Sequence, residues 1–233
     1  FQRASASLRF DGRGVRLDGI NMAKATGTVT GAAYVGWDGT YSFNADGRRI
    51  PAERVSLMAY EKVQPSGLLE FTAAGSSTFE NPRYDVRFRI NNFAVAQEPV
   101  GLVTGTLGLR GNEVIGEAEA NSDKLALTTT GRISLERGYD ADLTFRFHDT
   151  PLDPYVRLFT PTLSDQTRAI ASGTIRMGGL LANPYQLTVE ATVDRLEMTL
   201  FDYGVRIPRP IRLTMQNEVV RVEDFQLVGD QTQ

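Results

Sequence analysis

Residues 80–93 read ENPRYDVRFRINNF and residues 182–196 read ANPYQLTVEATVDRL, the same pattern written twice about a hundred positions apart. Each opens on Asn-Pro and then alternates: Tyr84, Val86, Phe88 and Ile90 are apolar in the first, Leu187, Val189, Ala191 and Val193 in the second. The residues between them are polar, among them Asp85, Arg87 and Arg89, then Thr188, Glu190 and Thr192. Strict alternation predicts an extended strand with one apolar and one wetted face. In both stretches the next apolar residue then arrives three positions on, Phe93 after Ile90 and Leu196 after Val193. Such a change of parity predicts an extra residue in the strand, a β-bulge or sharp bend. Val222 to Phe225 repeats the slip.

Working outward, most of the 233 residues fall into similar short runs punctuated by Gly, Asn, Asp and Pro. Candidate strands are 4–10, 14–20, 27–35, 39–45, 68–73, 83–90, 101–109, 114–120, 124–130, 132–135, 140–147, 173–177, 186–193, 195–200, 210–215 and 219–227. So many short strands with so little between them predict an all-β antiparallel meander. Two segments break the rhythm, PAERVSLMAYEKV (51–63) and LDPYVRLFTPTLSDQTRAIA (152–171), and these are the places where one or two short helices are expected. Each precedes a glycine-containing strand start and an Asn-Pro strand, giving repeat-like units at 51–100 and 152–200 within a single repeat-built segment 1–233. The starts ATGTVTG (25–31) and TTTGRISL (128–135) read as degenerate copies. Because the chain opens at Phe1 without methionine and stops inside a strand-like run, it reads as an excerpt of a longer protein.

Composition excludes several functions. Apolar residues at 41% and charged residues at 23% suit a folded chain. A net charge of −3 gives no electrostatic case for nucleic acid. Without cysteine there is no disulfide, thiolate metal site or cysteine nucleophile. No stretch approaches the roughly 18 consecutive apolar residues of a membrane-spanning helix. No nucleophile elbow, phosphate loop, His-Glu-x-x-His or dinucleotide fingerprint occurs, and GRGVRLDG (12–19) has the wrong glycine spacing.

The remaining polar features read as surface. His148, the single histidine, has the polar parity of its strand and is expected to face solvent beside Asp149. FNADGRR (43–49) lacks the later glutamate of a calcium loop, so Asp46-Gly47 reads as a hairpin turn. Arg3, Arg9, Arg13 and Arg16 read as a solvated face, with lipid headgroups or a partner as the alternative. The two prolines of RIPRPIRL (206–213) mark a sheet border or bend. Trp37 beside Asp38 is the only hint of a carbohydrate site.

The informative feature is an apolar face made of Tyr41, Phe43, Val86, Phe88, Ile90, Leu107, Leu109, Leu125, Leu127, Ile133, Leu135, Leu143, Phe145, Phe147, Ile175, Met177, Leu187, Val189, Val193, Leu213, Met215, Val220 and Val222. Alternation places these on one side without saying whether they meet each other or a ligand. A sandwich would close two such faces at about 10 Å; a trough would leave a channel in which each acyl CH₂ gains about 0.8 kcal/mol. The residues alone lean toward the sandwich.

One stretch shifts that balance. The small-residue–Gly start ASGTIRMGGLLANPYQLTVEATVDRL, with PIRLTMQNEVVRVEDFQLVGDQT after it, resembles the AsmA-like superfamily and within it the TamB-type proteins. The resemblance covers residues 65–233 well and 1–64 more loosely. It implies a long, curved, open antiparallel sheet with an apolar groove inside, lined by the face just named. It further implies a non-enzymatic periplasmic bridge, in a full-length protein anchored in the inner membrane of Gram-negative bacteria, that moves phospholipid toward the outer membrane and serves its assembly. Implied partners are phospholipid and an outer-membrane barrel protein bound through another part of the chain, with no cofactor and no metal. The alternative is a structural or adhesive β-repeat scaffold with a closed dry core.

Overall fold

A computed structural model describes residues 2–54, 65–95, 98–122, 125–152, 167–200, 203–217 and 219–229. The strands are β1 (Arg3–Asp11), β2 (Gly14–Lys24), β3 (Gly27–Gly36), β4 (Thr40–Pro51), β5 (Pro65–Thr78), β6 (Arg83–Val95), β7 (Glu98–Arg110), β8 (Glu113–Ser122), β9 (Leu125–Ser134), β10 (Asp140–Pro151), β11 (Thr167–Leu180), β12 (Thr188–Leu200), β13 (Tyr203–Arg206), β14 (Ile211–Gln216), β15 (Val219–Glu223) and β16 (Val228–Gly229). They hydrogen-bond in chain order from β1 to β13, with β16 beside β13; β14 takes the other end of β12, and β15 pairs with β14. The order never returns to β1, so the sheet is open and not a barrel. The chain divides into two compact units, residues 1–118 and 119–233.

The expected all-β antiparallel sheet is present, with no α-helix among the described residues. Two short 3₁₀ turns, Ala52–Arg54 and Pro184–Gln186, are the only helical backbone there. Of the two expected helices, residues 55–63 and 153–166 lie outside the described residues. The end of the second is corrected: Thr167–Ala171 opens β11 and pairs with Leu196–Leu200. Alternate residues of that run, Ala169 and Ala171, are buried, the period of a strand and not of a helix.

Both Asn-Pro pairs turn the chain between strands. Asn81 donates its N–H to Thr78 O at 3.2 Å ahead of β6, and Asn183 to Leu180 O at 3.0 Å ahead of β12. The two parity slips are register shifts. In β6 the pairing jumps from Ile90↔Val103 to Phe93↔Gly101, with Asn92 at φ 52°. In β12 it jumps from Val193↔Gly173 to Arg195↔Ser172, leaving Asp194 unpaired. The third slip is different: β15 ends at Glu223, and Asp224 at φ 56° turns the chain out before Phe225. Further shifts lie at Gly19 in β2, Arg49 in β4 and Asp149 in β10, each with positive φ.

Three boundaries differ from expectation for a common reason. Gly173, Gly131 and Gly105 do not start strands but sit inside β11, β9 and β7. A Cβ there would lie 2.2 Å from Thr192 O, 2.3 Å from Asp142 O and 2.4 Å from Glu117 O respectively; Gly31 in β3 meets Asn44 O at 2.2 Å. Only glycine lets the neighbouring backbone come so close. Asp46-Gly47 is likewise not a turn: both residues are inside β4, and Gly47 leaves room for the Phe71 ring, which a Cβ would meet at 2.2 Å.

Replacing Gly173 by valine should therefore destabilise unit 2 by about 2–3 kcal/mol, read as a lower urea midpoint, because the added methyls overpack a site closed by backbone as well as by Phe147. Valine at Gly12, where a Cβ would meet nothing within 4 Å, should shift the midpoint far less.

Candidate functional site

Cross-strand partners point to the same side of a sheet, so register assigns the faces. In unit 1, Tyr41, Phe43 and Ala45 on β4 lie opposite Ser77, Gly75 and Ala73 on β5. Leu69, Phe71 and Ala73 on β5 lie opposite Ile90, Phe88 and Val86 on β6, which face Val103, Gly105 and Leu107 on β7. Tyr84 pairs with Leu109 on the same side. In unit 2, Leu127 and Ile133 on β9 lie opposite Phe147 and Ala141 on β10, with Leu125 at the same parity as Leu127. Leu143, Phe145 and Phe147 face Met177, Ile175 and Gly173 on β11, which face Val189, Ala191 and Val193 on β12. Val189 and Ala191 continue to Met215 and Leu213 on β14, and these to Val220 and Val222 on β15. Each unit thus carries one unbroken apolar face.

Two residues expected on that face are not in the ladder. Leu135 is 46% exposed in the connection after β9, and Leu187 lies between a 3₁₀ turn and β12. Val220 and Val222 are in register but more than half exposed on the terminal strand. Other residues belong to the face and were not anticipated. Val15, Leu17, Ile20 and Met22 on β2 lie opposite Val35, Ala33, Gly31 and Val29 on β3, which continue to Tyr41 and Phe43. Their signal is the same alternation, hidden because the bulge at Gly19 changes parity between Leu17 and Ile20.

The face is uncovered among the described residues. Phe43, Phe88, Phe145 and Val189 are only half-buried although they sit within the sheet. The apolar residues that do leave water are Ala52, Ile90, Val100, Leu109, Ala120, Ala141, Ala169, Ala171 and Ile211, of which five are alanines. A two-layer core would bury its phenylalanines before its alanines.

Large side chains lie flat over cross-strand glycines. A Cβ on Gly105 would meet Phe88 at 2.6 Å, on Gly75 Phe43 at 2.7 Å, on Gly131 Leu143 at 2.7 Å and on Gly173 Phe147 at 3.0 Å. The glycines also define curvature. Their missing Cβ atoms would project from the apolar face and collide with the next strand's carbonyl, so that strand has swung toward the apolar side. Within each unit the apolar face is therefore locally concave. Rings add to the lining at one end, where Tyr41 stacks on Phe43 at 6.2 Å and Phe43 meets Tyr84 edge-on at 6.1 Å.

The opposite face is polar, with two open clefts. One of about 670 Å³ in unit 1 is lined by Asp46, Arg48, Glu70, Arg87 and Arg89. One of about 520 Å³ in unit 2 is lined by Glu119, Arg146, His148, Asp194 and Arg195. At the latter a polar cluster ties two irregular strands together. Ser172 Oγ accepts from the Asp149 N–H at 2.9 Å and donates to Asp149 Oδ1 at 3.3 Å. Arg195 spans Asp149 at 2.9 Å and Glu197 at 3.0 Å, and Glu197 first, then Asp149, raises the guanidinium pKa.

His148, as expected, is exposed, with Nε2 3.1 Å from Asp149 Oδ2. Although serine, histidine and aspartate meet here, the carboxylate stands between the other two. The Ser172 hydroxyl has no imidazole to take its proton, so this is not a nucleophile–base–orienter relay. Among the described residues no group of three His, Asp or Glu side chains could hold a metal ion.

The turn at 37–40 carries the clearest titration signature. Asp38 Oδ1 accepts from the Thr40 hydroxyl at 2.7 Å and the Thr40 N–H at 3.1 Å, holding its carboxyl below the ordinary range. A depressed carboxylate pKa stabilises the fold above the unfolded value and loses that contribution as pH falls through the folded one. An NMR titration should give Asp38 a lower midpoint than unconstrained aspartate, and Thr40→Val should raise it. Among known proteins no family model, curated sequence or solved structure matches this chain, so geometry and chemistry carry the functional reading.

Proposed function

We propose that this chain is a segment of an AsmA-like, TamB-type periplasmic bridge whose apolar face shields phospholipid acyl chains in passage between inner and outer membranes. The observation that carries the reading is the concave apolar face of each unit, with large side chains half-exposed and no second layer over them. Contiguous uncovered apolar surface on this scale marks a binding site in a water-facing protein. Acyl chains suit it because they need no directed hydrogen bonds, and each buried CH₂ gains about 0.8 kcal/mol.

Glycine-seated rings keep the relief of the face low, so a chain sliding along it meets few discrete wells. Transport in this scheme is passive and non-enzymatic, with headgroups toward the open side and direction imposed elsewhere. The full-length protein would be held in the inner membrane and meet an outer-membrane barrel protein through other parts of the chain.

Native mass spectrometry with lipid extraction, on protein purified without detergent, tests the reading. Wild type should carry phospholipid; Phe88→Glu or Val189→Asp should lower it at least about tenfold, because a carboxylate in the channel cannot be desolvated cheaply. Arg87→Glu, one residue from Phe88 but on the polar face, should retain the lipid. A lipid-free, fully folded wild type would overturn the conduit and favour the structural scaffold.

A further inference from the structure

At one edge of unit 1 the turns after β1, β3 and β5 share a short signature. Each places an exposed aromatic directly before a carboxylate: Phe10-Asp11, Trp37-Asp38 and Phe79-Glu80. The three rings are 70%, 63% and 61% exposed. Large rings left in water at successive turns do little for folding. Their backbone is nonetheless fixed turn to turn: Trp37 donates its N–H to Arg13 O at 2.9 Å, and Phe79 to Gly39 O at 3.0 Å. Neighbouring tips are two strands apart, about 10 Å. In unit 2, Tyr139-Asp140 repeats the pair, with Tyr139 51% exposed and its carbonyl accepting from the Leu181 N–H at 3.1 Å.

The row in unit 1 is continuous with the apolar lining, since Phe79 packs on Tyr41 with centroids 5.2 Å apart. Phe10 pairs with Val15 on the same face. Asp11 and Asp38 close their own turns through Oδ1: Asp11 accepts from the N–H groups of Arg13 and Gly14, both at 2.8 Å, and Asp38 accepts from Thr40. The same turns bear Arg13 and Arg83, whose guanidinium groups have no ion-pair partner among the described residues. Ring faces and carboxylates together suit an ammonium, through the ring quadrupole and direct charge attraction; guanidinium groups suit a phosphate. A purely anionic headgroup would satisfy the arginines and be repelled by the acids.

We infer that this rim reads the headgroup of the cargo, selecting zwitterionic phospholipids that carry an ammonium over anionic ones. The inference rests on the acyl-channel reading above. Acyl chains lie on the apolar face, the phosphate meets Arg13 or Arg83, and the ammonium sits against an aromatic–acid pair.

The test incubates the full chain, without detergent, with vesicles containing equal parts phosphatidylethanolamine and phosphatidylglycerol, then quantifies the headgroups of the bound lipid. Wild type should enrich the ethanolamine lipid about tenfold. The triple variant Asp11→Asn, Asp38→Asn, Glu80→Gln keeps the turn-closing oxygens and should bring the ratio to within about twofold of unity. Trp37→Ala with Phe79→Ala should lower it by a separate route, leaving the carboxylates in place. Bound lipid without headgroup preference, or a preference that survives both variants, overturns the rim while leaving the channel standing. No bound lipid in wild type overturns the channel, and the rim with it.

Discussion

The ring of Phe88 can lie down on the sheet only because Gly105, its partner across β6 and β7, has no Cβ. The same relation seats Phe43 on Gly75, Phe71 on Gly47 and Phe147 on Gly173. In a two-layer protein an aromatic on the inner face is buried by the opposing layer. Here the glycine does part of that work from below, giving the ring's underside a van der Waals partner while its upper side stays open. The missing Cβ also admits the adjacent carbonyl, as Thr192 O approaches Gly173 and Asn44 O approaches Gly31. One residue type thus sets both the relief of the face and its curvature, the two properties a channel for flexible chains depends on.

Bulges solve the complementary problem. Strands of ten or more residues with strict alternation would carry one apolar stripe from end to end and twist without a break. Extra residues at Asn92, Asp149 and Asp194 reset parity near the same end of their strands. Past them the fully buried residues gather, among them Val100, Thr150, Ala169 and Ala171, whereas the middle of the face is left half-exposed. The non-glycine residues in left-handed backbone are held by specific contacts: Asp149 at φ 40° is fixed by Ser172 through both its N–H and its carboxylate, and by Arg195. Local strain of this kind persists when its surroundings over-determine it.

Alternation and the Asn-Pro openings are local signals, and they located β6 and β12, their faces and their bulges from the chain alone. What stayed hidden depends on register, which is non-local. Asp46-Gly47 has the composition of a hairpin turn, yet the glycine is there for a ring on the next strand. Gly131 and Gly173 look like punctuation for the same reason. Thr167–Ala171 follows a stretch with helical composition, and its strand character shows only in pairing with Leu196–Leu200. The apolar face of β2 was obscured by a single left-handed glycine, Gly19. The choice between closed core and open face was illegible in principle, because half-buried and fully buried phenylalanines obey the same alternation.

The two faces divide the electrostatic labour. Arg87, Arg89, Asp85 and Glu70 lie opposite the apolar side chains of their own strands, so each strand meets water on one face at no cost to the other. Polar clefts of several hundred cubic ångströms there contain both signs of charge, and the best-connected cluster spends its serine, aspartate and arginine on holding bulges together. A carboxylate already bridged to a guanidinium and a hydroxyl is a poor general base, because its lone pairs are committed and its proton affinity is lowered. The chemistry of the polar face is thereby absorbed by architecture, and the apolar face and its aromatic rim are left as the surfaces whose exposure folding does not explain.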